Sequence, residues 1–452
     1  MSDETGSLQA QRAYWHEIER HFPWNVGVQL LQGALALFAM GFFAPETVLA
    51  AYLTTLTDNK FLIGLPWALS LFYWYFPAIF YSYRLQRYRQ RKGVVIAWSL
   101  SLRAGFALFA ASALAASRYG ATAGIVLFLA AEAALVLTAS PAALAWHDFV
   151  GRVLPPAKRG LIVGLREALG SLGGFAAAAL LFAYLSPREA APGNYFWPFV
   201  AGAFVYFVSI IPFAMTREPH WPGEVAAPGS WREYYAGTFS ALREDANFRT
   251  YVFVRCLLAV TAIFNLGLFA SYAITEFGVS RALVSGLFTA VSLAGGVIAA
   301  TVTGRVADKK GFKAALLGGL ALTGLMLVAG LSLKWMGRLA TPVFFLIYFL
   351  AGAQGSAVWV ANFNIMLEFG RVEDRPRYIS LVALFACPVA LAAALTSGLL
   401  VHMLGYRAVM LIALCVCAAV WATVYVVFQE PRVHRARREE TAVTPENHGA
   451  PV

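Results

Sequence analysis

Three carboxylates, Glu46, Glu132 and Glu276, and three guanidinium groups, Arg103, Arg166 and Arg255, stand within or at the ends of long apolar runs. An unpaired charge at membrane depth costs several kcal/mol, so such groups face protein or water and mark ion paths or structural pairs. A carboxylate there can take up and release a proton. Glu46, Glu132 and Glu276 are therefore candidates for ion coupling, with Arg103 as a partner. Depth suggests the pairing. Arg103 lies nine residues into its run and Glu132 eleven into the next, counted from opposite ends. At 1.5 Å per residue both reach roughly 13–17 Å, near the middle of a core about 30 Å thick. Consecutive antiparallel helices are usually neighbours, so an Arg103–Glu132 ion pair is expected.

Other chemistries find no support. Cys256, Cys387, Cys415 and Cys417 lie in apolar runs without histidine at zinc-ligand spacing, and read as small buried hydrophobes. No phosphate-cradling glycine loop and no nucleophile elbow is present. No cofactor, metal or enzymatic activity is expected. His147-Asp148 reads as a helix-end pair exposed to the cytoplasm, and the run Phe72 to Phe76 as packing and interface anchoring.

These residues need an apolar frame. The 452 residues are 60% hydrophobic and 13% charged, about half the charge of a soluble domain. Spans are read at about 25–53, 61–83, 94–116, 121–146, 160–186 and 195–215, and again at 250–275, 280–303, 313–333, 341–367, 378–403 and 406–428. Internal Pro45, Pro66, Pro77 and Pro388 are tolerated where neighbours re-satisfy the backbone. The net charge of +11 sits in short clusters between spans, such as Arg84 to Lys92, which is the positive-inside pattern rather than a nucleic-acid surface. With both termini inside, the inner segments carry 25 Lys and Arg against 7 outside.

The chain divides into a cytoplasmic segment 1–24 with a short amphipathic helix stopped near Pro23, a six-helix bundle 25–215, a linker 216–249, a second bundle 250–428 and a disordered tail 429–452. In the linker, Ser230 and Glu233 form a capping box ahead of an amphipathic surface helix. The halves echo each other. Arg91-Lys92-Gly93 recurs as Lys309-Lys310-Gly311, and Arg159 as Arg377, 218 positions on. Gly64-Leu65 and Ser70-Leu71 recur as Gly286-Leu287 and Ser292-Leu293, offset by 222. Parallel transporter repeats have this organisation. The expected fold is all-α and polytopic, with twelve transmembrane helices in two pseudo-symmetric six-helix halves.

The segment Gly304-Arg305-Val306-Ala307-Asp308-Lys309-Lys310-Gly311 resembles the signature loop of the major facilitator superfamily. The segment Trp146 to Arg166 resembles the loop between fourth and fifth helices in bacterial members. In the first-half copy of the signature, Gln90 stands where the family has Asp, which implies a weaker latch there. The resemblance implies a gate in which Asp308 packs against the start of the fifth span, within reach of Arg166, with Gly304, Lys309 and Gly311 shaping it.

It also implies that the first, fourth, seventh and tenth spans line a central cavity. On them the candidate substrate contacts are Gln29, Gln32, Asn265, Tyr272, Gln354, Trp359 and Asn362. Each amide has a rival role as a helix–helix hydrogen bond. The implied activity is secondary transport of a small organic solute by alternating access, driven by protons, in the cytoplasmic membrane and as a monomer. The rivals are an uncoupled facilitator and a non-transporting receptor or enzyme on the same scaffold. The charge bias generates a direct test: a single cysteine at position 230 should react with an impermeant thiol reagent only from the cytoplasm, and one at position 190 only from outside. The reverse pattern would invert the topology.

Overall fold

A bilayer core offers the backbone no partner but itself, so apolar runs of this length fold as helices. The computed structural model describes residues 2–73, 78–85, 88–188, 191–220, 239, 242–243, 245–264, 266–367, 369 and 375–430, and among these there is no strand. The principal helices are α1 (Ser2–Met40), α2 (Lys60–Tyr73), α3 (Lys92–Tyr119), α4 (Ala121–Val153), α5 (Pro156–Leu185) and α6 (Phe196–Val208). The second half has α7 (Ala246–Val260), α8 (Leu266–Phe277), α9 (Thr289–Lys310), α10 (Phe312–Met336), α11 (Ala340–Leu367) and α12 (Arg375–Val427).

Eight stretches are long and apolar enough to cross a membrane. Two of them, Phe312–Asn362 and Leu381–Val427, are interrupted by glycines of positive φ, Gly337 (φ 49) and Gly405 (φ 78). The expected count of twelve passages rests on dividing those two and on adding the shorter helices between residues 60 and 85 and between 246 and 277. The capping box of the linker and residues 221–238 of its surface helix lie outside the described residues, as does the tail after residue 430.

Two local expectations are corrected. The first helix does not stop at Pro23 but runs unbroken through it. Pro23 forfeits one backbone bond, and the residues beside it are held from outside the helix. The Trp24 indole donates to the Met215 carbonyl, and the Asn25 side chain exchanges two hydrogen bonds of 2.9 Å with the Arg217 backbone. Second, the signature segment is not a loop. α9 continues to Lys310, so Gly304, Asp308 and Lys309 are helical, and the turn falls on Gly311 at φ 87. Only glycine adopts that conformation cheaply.

The start of the following helix is then capped from far along the chain. Glu430 accepts from the Lys313 amide at 2.8 Å. The first half repeats this, with Glu218 accepting from the Arg91 and Lys92 amides at 2.8 and 3.0 Å. A carboxylate suits the positive end of a helix.

The first passage of each half is discontinuous. α1 tightens into a 3₁₀ turn at Gly41–Phe43, leaves helical geometry at Ala44 (ψ 114), and resumes as a π turn at Pro45–Leu49. α7 gives way to a 3₁₀ turn at Thr261–Ile263 and an extended Phe264 before α8 begins. Glu46 follows the first break directly.

The halves meet through α2 against α12, α5 against α9, and α8 against α2. Hydrogen bonds between them gather on the face opposite the termini. Arg281 donates to the Thr54 hydroxyl and carbonyl at 2.8 and 2.9 Å. Thr47 bonds Thr289 at 2.6 Å, and Tyr195 bonds Ser285 at 3.3 Å. Glycines let the backbones touch. A Cβ on Gly286 would lie 2.5 Å from Phe182 Cβ, and one on Gly398 would lie 2.6 Å from Phe61 Cα. A Gly398→Leu variant should therefore open this face. Spin labels at positions 58 and 280 should move apart relative to the parent protein, and an unchanged distance would show that this seam does not set the state.

Candidate functional site

Sequence depth placed Arg103 opposite Glu132, but the structure does not pair them. Arg103 is 3% exposed and turns towards the end of α6. Its Nε donates to the Tyr206 carbonyl at 2.6 Å, Nη1 to the Ser99 carbonyl at 2.9 Å and Nη2 to the Ser209 hydroxyl at 2.8 Å. The guanidinium also lies 4.2 Å from the centre of the Tyr206 ring. Carbonyl dipoles and a π face thus take the place of a counter-ion. The signal for this was in the sequence. Tyr206 and Ser209 are polar, three residues apart, and on one face of an apolar span.

Glu132 is left in apolar surroundings. It is 2% exposed, and its Oε2 has no hydrogen-bond partner. Tyr73 of α2 lies within electrostatic reach of Glu132, Glu46 and Tyr206. Tyr348 of α11 also feels Glu46. Glu46 thus follows the break in the first passage, and its charge acts on Tyr73 of its own half and on Tyr348 of the other. Glu46 and Glu132 both act on the same tyrosine. In the sequence that tyrosine reads as packing, since it is the second of five consecutive aromatics. Glu276 is elsewhere: it is exposed at the end of α8, near Tyr272 and Arg407.

A second polar cluster joins α1, α4 and α5. Arg166 reaches Glu167 at 2.7 Å and the Gln32 carbonyl oxygen at 3.4 Å, and lies 4.6 Å from the Trp146 ring centre. Its Nε keeps no hydrogen-bond partner. Gly33 makes room for its stem, since a Cβ there would fall 2.1 Å from Arg166 Cγ. Trp146 was not singled out in the sequence, although its position at the inner end of α4 faces this arginine. The expected contact of Asp308 lies outside the described side chains.

The remaining cavity candidates divide. Gln29 donates to the Thr216 hydroxyl at 3.0 Å, which fastens α1 to the chain beyond α6. Asn362 accepts from Tyr251 at 3.3 Å, linking α11 to α7. Tyr272 packs on Tyr406 with ring centres 4.7 Å apart. Gln354 is half-buried and Trp359 exposed, both on α11. Asn265 falls outside the described residues, at the break between α7 and α8. Among the described residues no group of histidine, cysteine and carboxylate side chains is arranged to hold a metal.

This geometry has counterparts. A sequence profile described as Major Facilitator Superfamily matches residues 252–448. None of the curated protein sequences matches the chain. Among solved structures, the xylose transporter XylE from E. coli in a partially occluded inward-open conformation superposes with a TM-score of 0.64 at 13% identity, covering 96% of this chain and all of that one. The nucleoside transporter NupG gives 0.65 at 13% identity over 90% of this chain and 100% of its own. A POT family transporter in complex with 5-aminolevulinic acid gives 0.67 at 12% identity over 90% and 96%. At these identities the likeness is one of fold.

A double-mutant cycle tests the unpairing. The destabilisation of the Arg103→Gln, Glu132→Gln double variant should equal the sum of the singles within about 0.5 kcal/mol, as for independent sites. The Tyr73→Phe, Glu132→Gln cycle should depart from additivity. Strong coupling between Arg103 and Glu132 in denaturant melts would reinstate the ion pair.

Proposed function

We propose that this chain, a member of the major facilitator superfamily, is a proton-coupled secondary transporter of a small organic solute. The observation that carries the coupling is the environment of Glu132. An ionised carboxylate there stands without a hydrogen-bond partner for Oε2, in surroundings where an uncompensated charge costs several kcal/mol. A proton removes that cost. Glu46 acts on the same tyrosine and on Tyr348 of the other half, so its charge is felt across the interface that must rearrange. Two protonation states with different burial costs bias which face is open.

The solute site follows from the same arrangement. The first passages of the two halves leave helical geometry at Ala44 and at Phe264, and discontinuous helices are the kind of place where transporters bind substrate. Beside α1, Arg166 holds the Gln32 side-chain oxygen at 3.4 Å, which leaves the Gln32 amide nitrogen as a donor. With both termini cytoplasmic, the closed seam opposite them makes this an inward-facing state. The protein works in the cytoplasmic membrane as a monomer.

Glu132→Gln should fold, lose solute accumulation driven by a pH gradient in proteoliposomes, and retain exchange of solute at equal pH. Normal accumulation with an unchanged pH dependence would pass the coupling role to Glu46. Equal flux with the gradient collapsed, in the parent protein, would favour an uncoupled facilitator, and solute binding without flux a receptor.

A further inference from the structure

On the face opposite the termini each half carries the same short pattern: a threonine, four residues, a capping residue and a basic residue. Thr54, Asn59 and Lys60 recur as Thr275, Ser280 and Arg281, 221 positions on. Each piece has the same place in its half. Thr54 and Thr275 stand at the end of the first passage. Asn59 accepts from the Phe61 and Leu62 amides at 2.9 and 3.4 Å, and Ser280 from the Leu283 amide at 3.2 Å. Both thereby cap the start of the second passage, and the basic residue takes its first position.

The two basic residues cross the seam in opposite senses. Arg281 belongs to the second half and holds the first: its Nε donates to the Thr54 hydroxyl at 2.8 Å and its Nη2 to the Thr54 carbonyl at 2.9 Å. Lys60 belongs to the first half and holds the second. Its carbonyl oxygen would lie 2.9 Å from a Cβ on Gly398, and its ammonium is 5.6 Å from the centre of the Tyr406 ring. The Tyr406 hydroxyl in turn bonds Ser271 at 2.6 Å and Thr275 at 3.4 Å. Thr54 is therefore gripped directly, and its counterpart Thr275 only through a tyrosine. A guanidinium on a hydroxyl and a carbonyl is the stronger arrangement. An ammonium at this distance from a ring is near the limit of about 6 Å for a cation–π contact.

We propose that these contacts form one reciprocal latch, duplicated with the halves, in which Arg281 is the strong arm and Lys60 the weak one. Both are positioning residues. They act on the balance between states, through bonds that exist in only one of them. The repeat also says how the weak arm would be strengthened. A guanidinium at position 60 presents its donors in a fixed fork, and Thr275 is the acceptor that the pattern supplies. The proposal rests on the inward-facing reading of this conformation and is independent of what drives transport.

Pulsed electron–electron resonance on the full chain in nanodiscs decides it. Spin labels replace Tyr119 and Leu339, exposed residues of the first and second half, and report the separation of the halves on this face. The parent should show mainly the short distance. Arg281→Gln should raise the ratio of long to short distances about tenfold, the worth of a hydrogen bond to a charged group, and Lys60→Gln by less. In the Arg281→Gln background, Lys60→Arg should restore the short distance and Lys60→Gln should lengthen it further. Arg281→Lys keeps the charge and should fall between the parent and Arg281→Gln. Should Arg281→Gln fail to fold by circular dichroism, the same rescue is read in the Arg281→Lys background. A parent-like distance in Arg281→Gln, or a Lys60→Arg change that restores nothing, would overturn the latch. These distances are measured without a pH gradient, so the flux assay on Glu132→Gln still tests the transport reading by itself.

Discussion

Water is missing from the middle of a bilayer, and each polar side chain at that depth must find its partner inside the protein. Arg103 meets this demand in full, with three donors on two carbonyls and a hydroxyl and with a ring beneath it. Arg166 meets it in part, keeping one N–H free. Glu132 does not meet it, since its buried Oε2 has no hydrogen-bond partner. The three residues look alike in a hydropathy profile. What separates them is how completely the neighbouring helices supply donors and acceptors.

The same demand shapes the backbone. The passages that begin each half break near their middle, at Ala44 and at Phe264. Irregular backbone at membrane depth survives only where protein or a cavity surrounds it. On the termini face the repeated halves are tied down in the same way, by Glu218 on the start of α3 and Glu430 on the start of α10. The duplication is not exact. Gln90 replaces the acid that Asp308 supplies in the other copy. The first-half turn is secured through Arg91, which is 4% exposed and bonds Asp148, Leu85 and Tyr88.

Much of this was legible in the chain, and what was not has a common cause. Spans and the repeat could be read because charge is confined to the segments between apolar runs. The break at Gly405 falls between the two spans read at 378–403 and 406–428. Depth along a helix was read only approximately, because the register of two neighbouring helices depends on where the turn between them falls. Gly105 packs on Ala134 and Leu135, and Gly124 on Ala116, so the stretch of α3 level with Glu132 lies near residue 108. Arg103 is displaced from that level and points at α6, a helix distant in sequence, and no residue count reveals either the shift or the rotation. Tyr73 was hidden by company, one ring among five. Turn geometry was misplaced for a similar reason. Of the two glycines that bracket the signature segment, only Gly311 has the positive φ that ends the helix, while Gly304 sits inside α9 with nothing within 4 Å of a Cβ.

At two points the seam between the halves sets glycine close against the other half's backbone, Gly286 on Phe182 and Ala178 and Gly398 on Phe61 and Lys60. Its consequence concerns speed. Interlocked long side chains would have to leave one set of rotamers and find another each time the halves part. Glycine has no rotamers to lose or regain, and close-packed atoms give up their attraction within an ångström of separation. A seam of this kind would separate as a dry bearing does, and the hydrogen bonds of Arg281 and Thr47 are directional links that such a separation would have to break.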